Sequence, residues 1–374
     1  MALRAGVLTV ARLLAPAAAL LLAPAVAWTA GPDLSRLTLP PGFSIEVWAD
    51  GLANARSMAM GERGTIFVGT RTAGNVYAVS TGADGARQVR TLLKGLNMPN
   101  GVAFRGGALY VGENDRIRRY DAVENRLDSP PTPVDVARLP NDKWHGWRYL
   151  GFGPDGKLYL PVGAPCNVCD RDREDYATIL RMNADGSGRE VVARGVRNSV
   201  GFTWHPRSRA LWFTDNGRDE LGDEVPSCEL NKVSRLGEHF GFPFCHQGDI
   251  ADPEFGKLRS CSAATPPVQK LGPHVAPLGL KFYGGRQFPA EYRGQLLIAE
   301  HGSWNRSTPI GYRVMRVKLD GDRAVAYEPF ITGWLSDDRK VSGRPVDILE
   351  LADGSVLVSD DVAGVIYRVS YRKR

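Results

Sequence analysis

Short runs of alternating apolar and polar residues recur six times along the chain, always in the same order. Each repeat has an apolar run, a tight turn, a second apolar run, a polar loop and a third run. The second runs are the clearest, and they are Thr65–Val68, Ala108–Val111, Lys157–Leu160, Ala210–Phe213, Gln295–Ile298 and Ser355–Val358. Alternation with a period of two residues indicates β-strands, and a strand set that repeats in this way indicates an array of β-blades.

The pattern predicts an all-β fold, a six-bladed β-propeller with four-stranded antiparallel blades. Each blade is expected to run from an innermost strand A, beside the central channel, to an outermost strand D. The A strands are expected at Ser57–Met60, Gly101–Phe104, Tyr149–Phe152, Val200–Phe202, Gly279–Phe282 and Val346–Leu349. Because blades bury their faces only against neighbouring blades, residues 28–374 are predicted to form a single domain.

Residues 1–27 have the features of a secretory signal peptide. Arg4 and Arg12 provide positive charge, Leu13–Leu22 is apolar, and Ala25–Ala27 matches a signal-peptidase site. A retained membrane anchor is the alternative, but the apolar stretch is short and is interrupted by Pro16 and Pro24. We therefore expect a periplasmic or secreted protein that has no membrane span after signal removal.

The cysteines lie beyond this segment and favour disulfides, as expected in an oxidising compartment. They are Cys166, Cys169, Cys228, Cys245 and Cys261. Cys245 and Cys261 bracket a loop, and Cys166 and Cys169 form a C-x-x-C motif, for which a zinc site is the less favoured alternative. Asp170 stands where a c-type haem motif requires histidine, and Cys228 is left without a predicted partner.

The chain has 374 residues, a net charge of +6 and an isoelectric point of about 9.1. A basic protein can bind nucleic acid, but here the basic residues are interspersed with acidic ones and form no run. We therefore predict no nucleic-acid partner.

Antiparallel strand order places two groups of residues at the same rim of a propeller, those just before each A strand and those in each B–C loop. The first group contains Arg56, Asn100, His145, Arg197, Asn198, Pro277 and Arg344. The second contains Arg71, Glu113, Asn114, Asp215–Arg218, Glu300–Arg306, Asp360 and Asp361. Arginines suit an anion with several carboxylates, carbonyls and carboxylates suit calcium, and a neutral histidine suits a general base. The functional site is therefore predicted at this rim.

In their order, these motifs resemble those of the soluble glucose/sorbosone dehydrogenases, which depend on pyrroloquinoline quinone (PQQ). The resemblance extends from Leu39 to Arg368. Its most specific parts are His145, Gly153–Gly156, Gly195–Asn198 and Asp215–Gly217. The segments similar to the sorbosone-type branch are Ala276–Gly279, Ala299–Asn305 and Gly343–Asp347.

The resemblance implies that PQQ lies at this rim and accepts a hydride from an aldose sugar or a related aldehyde. It gives His145 the role of general base and Arg197 that of stabilising charge on a quinone oxygen. The residues implied to bind the cofactor are Asn100, Asn198, Arg344, His301 and Arg306, with either of the last two replacing a carboxylate-binding lysine.

The same resemblance implies a calcium ion beside the cofactor, bound by the backbone carbonyls of Gly217 and Arg218. A second, structural calcium ion is implied near Asp223, Glu224 and Glu229. Because the chain contains no haem motif, electrons are expected to pass to an external acceptor, either a cytochrome or a quinone.

Two other functions stay open. A calcium-dependent lactonase-type hydrolase would need carboxylates at the channel centre, whereas the positions before the A strands are mainly Arg, Asn and His. A non-catalytic propeller that serves only as a binding module would retain every blade motif.

Overall fold

The computed structural model describes residues 32–171 and 175–372. The predicted signal peptide lies outside these residues. Within them, the only helices are short 3₁₀ turns at Leu34–Arg36, Val123–Asn125, Cys261–Ala263 and Ala290–Tyr292. None of these turns is long and apolar enough to cross a membrane.

Strand β1 (Phe43–Ala49) comes first in the chain, and the blades follow it in sequence order. The first blade contains β2 (Met58–Met60), β3 (Ile66–Val68), β4 (Val76–Thr81) and β5 (Arg87–Leu93). The second contains β6 (Gly101–Arg105), β7 (Ala108–Gly112), β8 (Arg116–Tyr120) and β9 (Val134–Arg138). The third contains β10 (Gly151–Phe152), β11 (Leu158–Val162), β12 (Thr178–Met182) and β13 (Glu190–Arg194).

The fourth blade carries a long insertion between its third and fourth strands. Its strands are β14 (Phe202–Trp204), β15 (Leu211–Asp215), β16 (Ser227–Lys232) and, after the insertion, β20 (Gln269–Pro273). The insertion contains β17 (Glu238–His239), β18 (Cys245–His246) and β19 (Ile250–Ala251). Strand β17 pairs in parallel with β13 and so adds a fifth strand to the third blade.

The last two blades complete the ring. The fifth contains β21 (Pro277–Phe282), β22 (Leu296–Glu300), β23 (Arg313–Asp320) and β24 (Arg323–Ile331). The sixth contains β25 (Pro345–Glu350), β26 (Val356–Asp360) and β27 (Val365–Tyr371), and β1 is its outermost strand. Because β1 pairs antiparallel with β27, the two ends of the described chain share one blade. The predicted six-bladed propeller is confirmed.

The inner strands lie close together around the channel. Neighbouring inner strands contact one another, for example β2 with β6 and β21 with β25. Glycine permits this approach at the start of β6, where a Cβ on Gly101 would collide with the carbonyl oxygen of Arg148. The loops at the channel mouth therefore lie close together because the inner strands beneath them pack against one another.

The hydrophobic core is divided into layers between adjacent blades. Phe67 of the first blade packs with Leu109 of the second, and Val68 packs with Ile366 of the sixth. All four side chains are buried. This division explains the alternating pattern, since both faces of each middle strand are covered by a neighbouring blade.

We predict that the aromatic anchor of β1 is important for closing the ring. The Phe43 ring contacts Phe288, Tyr292, Phe330 and Tyr371, at centroid distances of 4.8 to 5.0 Å. Substituting Phe43→Ala should lower the free energy of unfolding in urea by about 3 kcal/mol, because the substitution leaves a cavity among these rings.

Val325→Ala is the control for this prediction. Val325 lies on β24 and is 50% exposed, so its truncation should change the free energy of unfolding by less than about 0.5 kcal/mol. Equal effects of the two substitutions would contradict the assigned role of Phe43.

Candidate active site

A cavity of about 530 Å³ opens at the rim where the chain enters the inner strands. Its charged lining is mainly cationic, with side chains from Arg56, Arg71, Lys143, Arg197, Arg218 and Arg344. Among the described residues that line it, Asp219 is the only carboxylate. Its volume falls within the range of about 300–1,000 Å³ that is usual for small-molecule sites. The cavity therefore suits a compact anion.

His145 lines this cavity just before the third blade. Its ring Nδ1 lies 2.8 Å from the carbonyl oxygen of Ala164. Because a carbonyl can only accept, Nδ1 carries the proton and Nε2 keeps a free lone pair. Burial, and then the positive charge of Arg197, lower the pKa of His145 well below 6.5. The residue is therefore a neutral imidazole that can accept a proton.

The backbone at His145 is held in an unusual conformation. Its φ angle is 49°, in the left-handed region that favours Gly and Asn. The buried guanidinium of Arg148 donates to the carbonyl oxygens of His145, Asn114 and Pro140 at 2.9 to 3.2 Å. These bonds fix the turn that presents the imidazole, and such local strain is typical of functional positions.

Arg197 is a buried cation whose guanidinium is enclosed by acceptors. It donates to the carbonyl oxygens of Asn167, Asn216 and Gly217 at 2.8 to 3.2 Å. Its Nη2 also donates to Asp219 Oδ2 at 3.0 Å. Burial lowers the pKa of Arg197, but the ordinary value of 12.5 is high enough for the side chain to stay charged near neutral pH.

The backbone beside Arg197 is held by a single carboxylate. Asp215 ends β15 and accepts from the amides of Arg197 and Asn198 at 2.8 and 2.6 Å. Burial raises the pKa of Asp215 to about 7. The side-chain Oδ1 of Asn198 is buried and has no hydrogen-bond partner among the described residues. Since Asn198 lines the cavity, this oxygen is available to a bound molecule.

A second group of charged residues lines the cavity near the sixth blade. Arg344 donates to the carbonyl oxygens of His301 and Gly302 at 2.9 and 2.6 Å. The His301 Nε2 lies 2.9 Å from Asp361, which also pairs with Arg56 at 2.6 Å. Burial is the main cause that lowers the pKa of His301 to about 4. Arg344 and His301 therefore meet at the same side of the cavity.

Two residues predicted to bind the cofactor lie elsewhere. Asn100 is buried, accepts from Arg56 Nε at 2.6 Å and is not among the residues that line the cavity. Arg306 donates to the Asp223 carbonyl oxygen and to Glu224 at 3.0 and 2.5 Å, away from the lining. Asn100 therefore supports Arg56 from behind, and Arg306 neutralises the neighbouring acidic loop.

The residues of the two predicted calcium sites lie in different surroundings. Gly217 and Arg218 line the cavity, Asp223 and Glu224 contact Arg306, and Glu229 is buried and accepts from the Gln247 amide at 2.7 Å. The Arg218 side chain pairs with Asp252 and Glu254. In residues 32–171 and 175–372, no three His, Cys, Asp or Glu side chains are grouped as a metal site.

The cysteines form the predicted bonds. Disulfides join Cys166 to Cys169 and Cys245 to Cys261. Cys228 is a free, buried thiol in the cavity lining, and burial raises its pKa to about 12. A thiol in this state is a poor nucleophile.

Sequence reasoning missed Asn167, which lies between the two cysteines of the C-x-x-C motif. Its backbone and side-chain oxygens accept from Arg197 at 2.9 and 2.8 Å. The signal was available, because Asn167 follows the second strand of the third blade and so lies in its B–C loop, and B–C loops belong to the functional rim. Trp147, which the sequence suggests is a packing residue, lies under two cations of the lining, with its ring centroid 4.6 and 4.7 Å from the guanidinium carbons of Arg56 and Arg71.

The sequence is similar to a protein family and to individual proteins. A family model described as TrAA12-like matches residues 37–372. An uncharacterized protein from Borreliella burgdorferi is 36% identical over 91% of this chain and 92% of its own length. A pyrroloquinoline quinone-dependent pyranose dehydrogenase from Coprinopsis cinerea is 33% identical over 58% of this chain, but the match spans only 37% of that enzyme.

A solved structure extends the comparison to the fold. The holo form of the pyranose dehydrogenase PQQ domain from Coprinopsis cinerea aligns with a TM-score of 0.77 at 20% identity. The alignment covers 89% of this chain and 97% of that domain. At this identity the likeness supports the propeller fold, and the residues of the site must be argued from their own geometry.

We predict that His145 is neutral at pH 6.5 and above in the protein without cofactor. Burial and the charges of Arg197 and Arg148 disfavour its imidazolium, while the hydrogen bond to Ala164 favours it less strongly. Histidine NMR titration should place its midpoint well below 6.5. His145→Asn, which suits the positive φ, identifies the signal by its loss. A midpoint at or above 6.5 would contradict the neutral imidazole.

Proposed function

We propose a function for this chain, which belongs to the TrAA12-like family, as a PQQ-dependent dehydrogenase of an aldose sugar or a related aldehyde. The observation that carries the proposal is the pairing of a neutral histidine with a buried arginine in one cationic cavity. His145 is the proposed base and Arg197 the proposed electrostatic partner.

The residues of the cavity fit PQQ, a planar quinone with three carboxylates. Arg344, Arg71 and Lys143 can pair with carboxylates, and arginine can do so through two parallel bonds. The unpartnered Oδ1 of buried Asn198 gives a further polar contact. We propose that Arg344 and Asn198 hold the cofactor, with His301 beside them.

PQQ, when bound, supplies an acceptor for a hydride and thus for two electrons. The Nε2 atom of His145 would accept the proton of the substrate hydroxyl as the C–H bond breaks and the C=O bond forms. The hydrogen bond from Nδ1 to the Ala164 carbonyl stabilises the imidazolium that results. Arg197 provides a fixed positive charge that favours negative charge developing nearby.

Two exposed indoles at the cavity mouth support a sugar substrate. Trp144 and Trp304 both line the cavity, and they are 51% and 72% exposed. A large aromatic face open to solvent suits the apolar C–H face of a pyranose ring. We propose that these indoles contact the sugar and that the hydroxyl to be oxidised points inward to His145.

The lactonase alternative has less support from the cavity. Such an enzyme would need several side-chain carboxylates around a metal ion. The single lining carboxylate among the described residues, Asp219, pairs with Arg197 at 3.0 Å. The charge of the cavity favours binding an anion over binding a metal ion through carboxylates.

The proposed setting is the periplasm or the cell exterior. The two disulfides are consistent with an oxidising compartment. We propose that reducing equivalents leave the site through an external cytochrome or quinone, since the cavity is open at its rim.

Calcium is proposed as a partner of the cofactor at Gly217 and Arg218. Carbonyl oxygens are suitable calcium donors, and the Gly217 oxygen uses one lone pair for Arg197 at 2.8 Å. One further lone pair is then available. The second calcium ion predicted near Asp223, Glu224 and Glu229 is not part of this proposal, because Glu229 is buried on β16 whereas Asp223 and Glu224 contact Arg306.

We predict that the apoprotein, reconstituted with PQQ and calcium, reduces a redox dye with at least one aldose or aldehyde. His145→Asn should lower kcat about 100- to 10,000-fold, the range typical of losing a general base, and should leave PQQ affinity within about threefold. His239→Asn is the matched control, because His239 lines a different cavity. Absence of turnover on every substrate would reject the function.

We predict that calcium strengthens PQQ binding by supplying a cation at the Gly217 and Arg218 carbonyls. Fluorescence titration with PQQ should give at least a tenfold lower Kd with calcium than with the chelator EGTA, an effect of about 1.4 kcal/mol. Equal affinities in the two conditions would remove calcium from the proposed site and leave the role of PQQ to be judged separately.

A further inference from the structure

The segment Ala164–Cys169, which we name the disulfide loop, contacts both proposed active residues. It follows β11 and is closed by the bond between Cys166 and Cys169. The Ala164 carbonyl accepts from His145, and the Ala164 amide donates to the Arg197 carbonyl oxygen at 2.8 Å. One short segment therefore contacts the imidazole on one side and Arg197 on the other.

Asn167 makes the strongest connection between this loop and Arg197. Its backbone oxygen accepts from Arg197 Nε at 2.9 Å, and its Oδ1 accepts from Nη2 at 2.8 Å. Two nitrogens of one guanidinium are thus held by one residue. This geometry fixes the rotation of the guanidinium plane, which a single contact could not do.

Asn167 also holds the backbone of Asp219, whose carboxylate pairs with Arg197. Its Oδ1 accepts from the Asp219 amide at 3.0 Å, and its Nδ2 donates to the Asp219 carbonyl oxygen at 3.1 Å. Asp219 in turn pairs with Arg197 at 3.0 Å. The asparagine side chain therefore positions Arg197 both directly and through its counter-ion.

We propose that Asn167, constrained by the Cys166–Cys169 disulfide, is a positioning residue that sets the orientation of Arg197. The proposal rests on the proposed function, in which Arg197 stabilises developing negative charge. The disulfide contributes because it restricts the backbone on both sides of Asn167, so that its two oxygens stay directed at the guanidinium. The two cysteines are half-buried.

The test compares Asn167→Ala with Asn167→Asp. The alanine variant loses the bond to Nη2 and both side-chain bonds to Asp219, so kcat should fall about tenfold, the effect expected for losing a bond to a charged group, with KM for the sugar unchanged. The aspartate variant keeps an oxygen acceptor for Arg197 and for the Asp219 amide but loses the Nδ2 donor to the Asp219 carbonyl oxygen. It should therefore retain more activity than the alanine variant.

A second readout needs neither PQQ nor turnover. The charged groups that face His145 are Arg197 and Arg148. If Asn167→Ala releases Arg197, the NMR titration midpoint of His145 in the apoprotein should move upward, toward 6.5. If the unaltered protein oxidises no sugar, the proposed function fails, and this titration still decides whether Asn167 positions Arg197.

Asn183→Ala is the matched control. Asn183 follows β12 of the same blade, is exposed and donates to Ser187 Oγ at 2.9 Å. Its truncation should change neither kcat nor the His145 midpoint. If Asn167→Ala leaves both quantities unaltered, or if the aspartate variant is as impaired as the alanine variant, the positioning role is wrong.

The disulfide is tested separately and also covers the case in which Asn167→Ala does not fold. The double variant Cys166→Ser/Cys169→Ser should lower kcat and raise the His145 midpoint as the alanine variant does. Cys245→Ser/Cys261→Ser removes the other disulfide and should leave the midpoint unchanged. Equal midpoints in the two double variants would show that the Cys166–Cys169 bond has no specific effect on Arg197.

Discussion

Ring closure by β1 and β27 is the constraint on which the site depends. The sixth blade is complete only when the first strand of the chain pairs with the last. This pairing brings Arg56, beside the first blade, to Asp361 in the sixth, and the two side chains form a buried ion pair at 2.6 Å. The Ser359 hydroxyl also donates to the Arg56 carbonyl oxygen at 2.7 Å. An open array of the same blades would separate these residues and leave no enclosed cavity.

Closure of the ring also brings several buried arginines together around one cavity. Burial disfavours the charged forms of Arg56, Arg197 and Arg344 and lowers the pKa of each. At Arg197 and Arg344 the protein offsets this cost chiefly with neutral backbone carbonyls, which satisfy the hydrogen bonds without cancelling the charge. Among the residues that the structure describes, Asp361 pairs with Arg56 and Asp219 pairs with Arg197. The remaining positive potential is available to an anionic ligand, and its orientation is fixed before the ligand arrives.

The strands could be predicted from the sequence because their signal is local. Period-two alternation and the glycine turns placed the second strands to within a residue or two at their starts, as at Leu158–Val162. The closing role of Phe43–Ala49 had no local signal, since its partner strand is at the opposite end of the chain. The positions of individual side chains were harder to predict from the sequence than the strands. Glu229 lies in the chain close to Asp223 and Glu224, but it is on β16 and points into the fourth blade, whereas they belong to a surface loop.

Antiparallel strand order, which places the residues before each inner strand and those in each B–C loop at one rim, predicted more of the site than the individual motifs did. It was not applied to the B–C loop of the third blade. Residues before each inner strand, such as His145 and Arg197, line a common cavity because antiparallel geometry leaves no other rim for them. The same rule applies to every B–C loop, including that of the third blade. That loop was interpreted only through its cysteines, as a covalent bond. The polar atoms of that loop that reach the site belong to Ala164, whose carbonyl oxygen accepts from His145, and to Asn167, whose Oδ1 accepts from Arg197. Because one constrained segment touches both groups, a displacement there should disturb proton transfer and charge stabilisation together. Independent loops could not couple the two in this way.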